Sequence, residues 1–182
     1  MEKRVLVYQA YVSIDIIRQT MFSVCSFLKT CAQPDLFEIQ IFTNKPEDLE
    51  KFFHTYSNVK VRKVTLEQID QLKGPMSFVH RVKVEILLAV SREFKGPLYY
   101  CDGDTIYLSD PTDLLLKVND RVSIMHTDEG LIGKNKDPLS KKIAKFLKHR
   151  KFHVSGQDVV ICSSTEMWNA GFIGMSHKNK TY

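Results

Sequence analysis

The stretch Leu98-Tyr-Tyr-Cys-Asp-Gly-Asp-Thr-Ile-Tyr-Leu108 decides the reading of this chain. Four apolar residues follow Gly96-Pro97 and stop at a carboxylate, the pattern of a strand buried on both faces that reaches the edge of its sheet. Asp102 and Asp104 stand two residues apart, so on an extended chain both carboxylates leave the sheet on one side. Such a pair is costly beside apolar surroundings unless something binds it. Hard divalent ions such as Mg²⁺ or Mn²⁺ take oxygen ligands of this kind, completed by phosphate oxygens and water. The pair therefore predicts a cation site and a phosphate ester or diphosphate as substrate. Gly103 between the acids lets a ligand approach the backbone closely. The plain alternative is a solvated turn.

Upstream of this stretch, strands alternate with helices. Val5 to Tyr8 is a short apolar strand, and Ile14, Ile17, Met21, Val24, Cys25 and Leu28 form a helical stripe after it. Phe37 to Thr43 reads as a second strand, Pro46 opens a helix through about His54, and Val59 to Val64 alternates like a third strand. A long amphipathic helix is expected from about Ser77 to Phe94. This alternation predicts an α/β layer fold, a mostly parallel central sheet flanked by helices, with ligands outside the carboxyl ends of its strands.

Downstream, Asp110-Pro111 fits a helix cap, with Asp113 in the first turn. Val122 to His126 is a further strand candidate, followed by a basic amphipathic helix from Leu139 to Arg150. Extended runs at Val159–Cys162 and Phe172–Met175 lead to a polar tail, His177 to Tyr182, that reads as frayed. If the strand ending at His126 is parallel, Asp128 and Glu129 lie at the sheet's carboxyl edge. Asp128 there, or Asp158 in Ser-Gly-Gln-Asp, is a candidate base for an acceptor hydroxyl. Turn residues before Gly130 are the alternative for Asp128.

Length and composition set the frame. At 182 residues with no repeat or linker, the chain is expected to be one domain, residues 1–182. A composition 43% hydrophobic and 26% charged excludes disorder, collagen and coiled coil. The longest apolar run, Ile86 to Val90, is far short of a membrane span. Met1-Glu-Lys-Arg leads into a strand rather than a signal peptide, which predicts a cytoplasmic protein. Cys25, Cys31, Cys101 and Cys162 show no CxxC spacing and read as small core residues. The six histidines show no HxH or HExxH spacing for zinc. The net charge of +5 is local: residues 134–151 hold eight Lys and Arg and one acid, Asp137. Such a segment predicts contact with an anionic membrane surface or acceptor, against the plain reading of a solvated helix face.

Two motifs in order carry a resemblance. Leu98 to Thr105 matches an "hhhDxDT" strand end, and Met167-Trp-Asn-Ala-Gly-Phe-Ile-Gly174 matches an "FNSG" or "FNAG" strand. Together they resemble the GT-A type of nucleotide-sugar glycosyltransferase, in particular the glycogenin and bacterial galactosyltransferase-like family, family 8. Ile39-Gln-Ile-Phe-Thr-Asn44 is similar to that family's second strand, and Arg81-Val-Lys83 to the basic position on the helix before its metal motif. The resemblance implies a Rossmann-like GT-A domain that transfers a hexose from a nucleotide-sugar donor such as a UDP-sugar to a carbohydrate, lipid-linked or protein acceptor. It implies that Asp102 and Asp104 bind Mn²⁺ or Mg²⁺. It further implies that Gln9, Tyr11, Arg81, Lys83, Asp102 and Gly103 hold the donor, and that Asn169 and Gly171 line the sugar pocket. The family's later histidine ligand and acid-glutamine pair would lie past Tyr182, so the chain is expected to be C-terminally truncated. Two residues apart on a helix, Arg81 and Lys83 cannot both face one site, and Arg81 has a ready alternative partner in Glu85.

Three other readings compete. A haloacid dehalogenase-like phosphohydrolase also has an apolar strand with two aspartates two apart, but its threonine comes four residues after the first, and Thr105 comes three after Asp102. A sugar nucleotidyltransferase needs a Gly-rich N-terminal loop, and Gly74 is the first glycine here. A non-catalytic basic anion-binding domain would use the basic helix alone, with affinity that falls steeply with salt. No nucleic-acid partner is expected.

Overall fold

In a computed structural model, residues 3–134, 138–148, 150–154 and 156–176 are described. The first strand, β1 (Arg4–Gln9), leads to helix α1 (Ile14–Thr30), whose N-terminus is capped by the Ser13 hydroxyl accepting from Asp15 N. Strand β2 (Phe37–Thr43) is buried throughout and falls on the residues that its pattern predicts. Helix α2 (Pro46–Phe53) opens on its proline, and β3 (Val59–Lys63) follows.

Between β3 and the long helix lies α3 (Leu66–Lys73), which the hydrophobic pattern alone does not reveal. Its signal is Thr65-Leu-Glu-Gln68, a capping box in which the Thr65 hydroxyl accepts from Gln68 N and the Gln68 side chain accepts from Thr65 N. The long helix α4 (Val79–Glu93) starts two residues after the expected Ser77, which sits at φ 51°, outside helical space.

Strand β4 (Leu98–Cys101) ends at Asp102, as its sequence predicts. The short helix α5 (Thr112–Leu116) follows, with Asp110 accepting from Thr112 N; Pro111 takes the cap position assigned to Asp110, a shift of one residue. Strand β5 (Ile124–Met125) is shorter than the expected Val122–His126, because Asn119 Oδ1 accepts from both Arg121 N and Val122 N and holds that segment in a turn.

The central sheet has the order β3-β2-β1-β4-β10-β5, where β10 is Phe172–Met175. The pairs β1–β2, β2–β3 and β1–β4 are parallel, and β10 runs antiparallel to β4. The fold is α/β with a mostly parallel central sheet flanked by helices. Its two faces bury two separate clusters by simple alternation. Leu6, Tyr8, Ile39, Tyr99 and Cys101 pack with Ile17, Val24 and Phe27 of α1. Val5, Val7, Leu98 and Tyr100 pack with Val82, Ile86 and Val90 of α4. Full burial of each such side chain contributes about 1.5–3 kcal/mol, which is why these strands read as unbroken apolar runs.

The described residues divide into two compact units, 3–124 with 171–176, and 125–170. The second contains two small antiparallel sheets. Strand β6 (Asp128–Leu131) pairs with β9 (Glu166–Trp168), and β7 (Lys151–Val154) pairs with β8 (Gln157–Val160). Helix α6 (Pro138–Leu147) carries the basic segment. Asp128 and Glu129 thus belong to a separate ribbon and not to a parallel strand's carboxyl edge, because the chain leaves β5 after two residues. The extended run at 159–162 is the end of β8, which stops at Val160. The expected strand around Asn169 is two strands, β9 and β10, in different sheets, and Asn169 stands in the link between them.

All four cysteines are free thiols; Cys31 and Cys101 are buried as expected, whereas Cys162 is exposed. No helix among the described residues is long and apolar enough to cross a membrane. The tail at 177–182, residues 135–137 and His149 lie outside the described residues.

Candidate functional site

At the carboxyl end of β4 the chain does not stay extended. Asp102 N donates to Gly171 O at 2.8 Å, and Thr105 N donates to Asp102 O at 3.1 Å, folding residues 102–105 into a turn. The two carboxylates are therefore presented from a turn rather than from one face of an extended strand. Gly171, expected near the sugar, instead holds the start of this turn through its carbonyl.

Each residue of the turn has a distinct environment. Asp102 is partly exposed, and its Oδ1 lies 3.0 Å from Lys83 Nζ and accepts from the Tyr100 hydroxyl at 2.6 Å. Lys83 Nζ also sits 4.3 Å from the centroid of the Tyr100 ring, a cation–π contact. Tyr100 and Asp102 share a face because they are two apart on the strand, a signal that the sequence itself carries. Burial, then the hydrogen bond to Asp102 and its negative charge, push the Tyr100 phenol far above its ordinary range, so it remains a proton donor. Asp104 is exposed. A Cβ at Gly103 would collide with the Thr20 hydroxyl of α1, so the glycine answers helix–turn packing in the first place.

Arg81 and Lys83 separate as helix geometry requires. Arg81 pairs with Glu85 at 2.8 Å, one turn along α4, while Lys83 reaches Asp102. Beside the turn lies a groove of about 270 Å³ whose walls include Gln9, Tyr11, Tyr100, Asp102, Gly103 and Asp104. A second recess of about 420 Å³ lies along Gly103 to Ile106, with Arg18 and Phe22 on its other wall. The Tyr11 hydroxyl donates to Gln9 Oε1 at 3.0 Å, and burial raises the Tyr11 phenol to about 12. Gln9 Nε2 is buried with no hydrogen-bond partner. An unmet amide N–H of this kind costs about 1–3 kcal/mol, and an acceptor oxygen beside it would recover that cost. Behind the turn, burial pushes the Cys101 thiol up, so it offers no thiolate nucleophile.

Among the described residues no group of three or more His, Cys, Asp or Glu side chains is assembled for a metal. The donors at the turn are two carboxylates, one exposed and one partly neutralised by a lysine. Hard oxygen donors with room for ligand oxygens fit Mg²⁺ or Mn²⁺, and their small number leaves coordination positions for phosphate and water.

The remaining candidates lie in the second unit. Asp128 accepts from Gly130 N at 2.7 Å, and Gly130 is at φ 80°, so the turn reading describes its local role. Asp158 lies 3.0 Å from His153 Nδ1 on the exposed β7–β8 ribbon. Asn169 is fixed from both ends of its amide. Its Nδ2 donates to Glu129 Oε1 at 3.0 Å, and its Oδ1 lies 3.2 Å from His126 Nδ1. Its backbone pairs with Thr127 and His126. Trp168 is 45% exposed, so it is not a core residue.

No family model matches the chain, and no curated protein does. Solved structures do. The mouse xyloside xylosyltransferase 1, in its apo form, matches with TM-score 0.55 at 10% identity over 98% of this chain and 69% of its own. The WbbM bifunctional glycosyltransferase, also apo, matches with TM-score 0.53 at 14% identity over 97% of this chain. The chain spans 31% of the length of WbbM. At these identities the likeness establishes a common fold.

Proposed function

We propose that this chain is the donor-binding part of a metal-dependent glycosyltransferase that moves a hexose from a nucleotide-diphosphate sugar, a UDP-sugar in the first instance, to an acceptor hydroxyl. The carrying observation is the Asp102-Gly103-Asp104 turn at the carboxyl end of a parallel strand, opening on the groove that contains the unsatisfied Gln9 amide. The fold shared with two glycosyltransferases supports the same reading.

In this proposal Asp102 and Asp104 hold Mn²⁺ or Mg²⁺, with Asp104 the more direct ligand because Asp102 Oδ1 already serves Lys83 and Tyr100. The bound cation would supply Lewis-acid neutralisation of the departing diphosphate. The protein's own residues do the rest. Tyr100 and Lys83 fix the Asp102 carboxylate in one orientation. Gln9 offers a donor to a ligand oxygen, and Tyr11, neutral at physiological pH, forms an uncharged wall of the groove. The basic helix α6 is proposed as the contact for an anionic acceptor or membrane surface.

Calorimetric titration of UDP with and without Mn²⁺ tests the proposal. The wild type is expected to bind UDP only with the metal, and Asp104→Asn to lose that binding while its thermal unfolding stays unchanged. Metal-independent binding of equal strength in both proteins would refute it.

A further inference from the structure

At the opposite end of the central sheet from Asp102 there is a cavity of about 640 Å³ that the donor site does not use. It opens where β1 and β4 begin, at Arg4 and Gly96-Pro97. Gln9 at the far end of β1 is five residue steps away, roughly 17 Å along an extended strand, so the two sites are separate.

Three cations line this cavity: Arg4, Lys95 and Arg121. Among the described residues none of them forms an ion pair. The Arg4 guanidinium is only partly exposed, and Nη1 donates to the Tyr99 hydroxyl at 3.3 Å. Tyr99 in turn donates its proton to Leu115 O at 2.6 Å, which leaves its lone pairs to hold Arg4 in place. Asp120, the single acid on the wall among the described residues, accepts from the Ser176 hydroxyl at 2.9 Å. Among the described residues the lining carries a net charge of about +2 around a partly buried guanidinium that makes no ion pair with them, and such a charge is stabilised by an anion.

Pro97, Leu116 and Val118 make one part of the wall apolar, with Gly96 and the polar Asn119 and Ser176 beside them, and the volume lies in the range of small-molecule sites, well beyond what one inorganic anion fills. Guanidinium and ammonium groups on one side with an apolar wall on the other suit a phosphate attached to a compact organic body. We infer that this cavity binds a small phosphate monoester, its phosphate on Arg4, Lys95 and Arg121 and its carbon skeleton against Leu116 and Val118. The site is independent of the donor groove and of the cation there.

Calorimetric titration of glucose 1-phosphate in the absence of divalent metal tests the inference. Lys95 and Arg121 are exposed, so Lys95→Gln/Arg121→Gln should fold normally, a point that its thermal unfolding checks. Wild type and Asp104→Asn are expected to bind the ester equally, and the double variant at least tenfold more weakly. Asp120→Asn, which removes a negative charge from the lining, is expected to bind more tightly. Absence of ester binding to the wild type, unchanged binding in the double variant, or inorganic phosphate binding as tightly as the ester would each overturn it. Because the measurement contains no nucleotide or metal, its failure leaves the glycosyltransferase reading untouched, and failure of that reading leaves this one standing.

Discussion

Lys83 Nζ lies 3.0 Å from Asp102 Oδ1, so one of the two carboxylates at the turn already carries a counter-charge from the protein itself. An incoming divalent cation competes with that ammonium. Lys83→Gln is therefore expected to bind Mn²⁺ alone about fivefold more tightly than the wild type, the ~1 kcal/mol of a partly exposed ion pair. The signal of free Mn²⁺ in electron paramagnetic resonance measures it, and an unchanged or weaker affinity would show that Lys83 does not oppose the metal.

Gly103 and Thr20 define a second, purely steric relationship. Thr20 is buried, its hydroxyl donates to Ile16 O at 2.9 Å, and a methyl group at residue 103 would run into that oxygen. Gly103→Ala is expected to cost about 1–3 kcal/mol in urea unfolding. Adding Thr20→Ala removes the clashing atom, so the double variant should regain more than half of the loss, a non-additivity expected only of groups in contact. Simple addition of the two effects would locate the glycine's role elsewhere.

Helix α6 combines Lys141, Lys142 and Lys145 with Phe146 and Ile143, both substantially exposed; Lys148 follows it directly, and Arg150 stacks 3.8 Å from the Phe146 ring centroid. Binding to vesicles rich in anionic lipid should follow, at about 1 kcal/mol per lysine near the surface. Replacing the four lysines by glutamine is expected to reduce vesicle co-sedimentation by a hundredfold or more at low salt and by far less at high salt. Equal sedimentation of both proteins, or none by either, identifies a plain solvated face.

Glu38 is expected to contribute to the acid limb of stability. Burial opposes its ionisation, but hydrogen bonds from Lys60, Gln40 and Lys3 prevail and bring its pKa down to about 2. A carboxylate lowered in the folded state stabilises the fold above its unfolded pKa, and the contribution disappears as pH falls through the folded value. The wild type should therefore lose on the order of 2 kcal/mol between about pH 5 and pH 2 through this group. Glu38→Gln should be less stable at neutral pH and show a flatter decline in acid. Parallel curves for the two proteins would remove Glu38 as the cause.

What could be read beforehand divides along physical lines. β2 and β4 fall on their predicted residues because strands buried on both faces are continuous apolar runs, and a charged residue ends β4 unambiguously. The Lys83 and Arg81 alternatives were resolvable in principle by helix geometry, which allows only one of them to face Asp102. Short antiparallel ribbons such as β7–β8 were not legible, since Gln157 to Val160 are all exposed and make no alternating pattern. The turn at Asn119 that delays β5 depends on one side chain accepting two backbone donors, which periodicity cannot register. The fold of the turn at Asp102 likewise depends on Gly171, a partner distant in sequence, which stands just before β10.

That late strand shapes how the polypeptide is born. Cys101 pairs with Phe172, roughly 70 residues downstream, while β1, the other neighbour of β4, has long since been made. At a ribosomal pace of 5–20 residues per second, the outer edge of Leu98-Tyr-Tyr-Cys stands unpaired for roughly 4–14 s. A bare apolar edge is a template for another chain's backbone, so nascent copies on one messenger are most prone to stick to one another in that interval. Quality control during synthesis, rather than the stability of the finished sheet, would then set the yield.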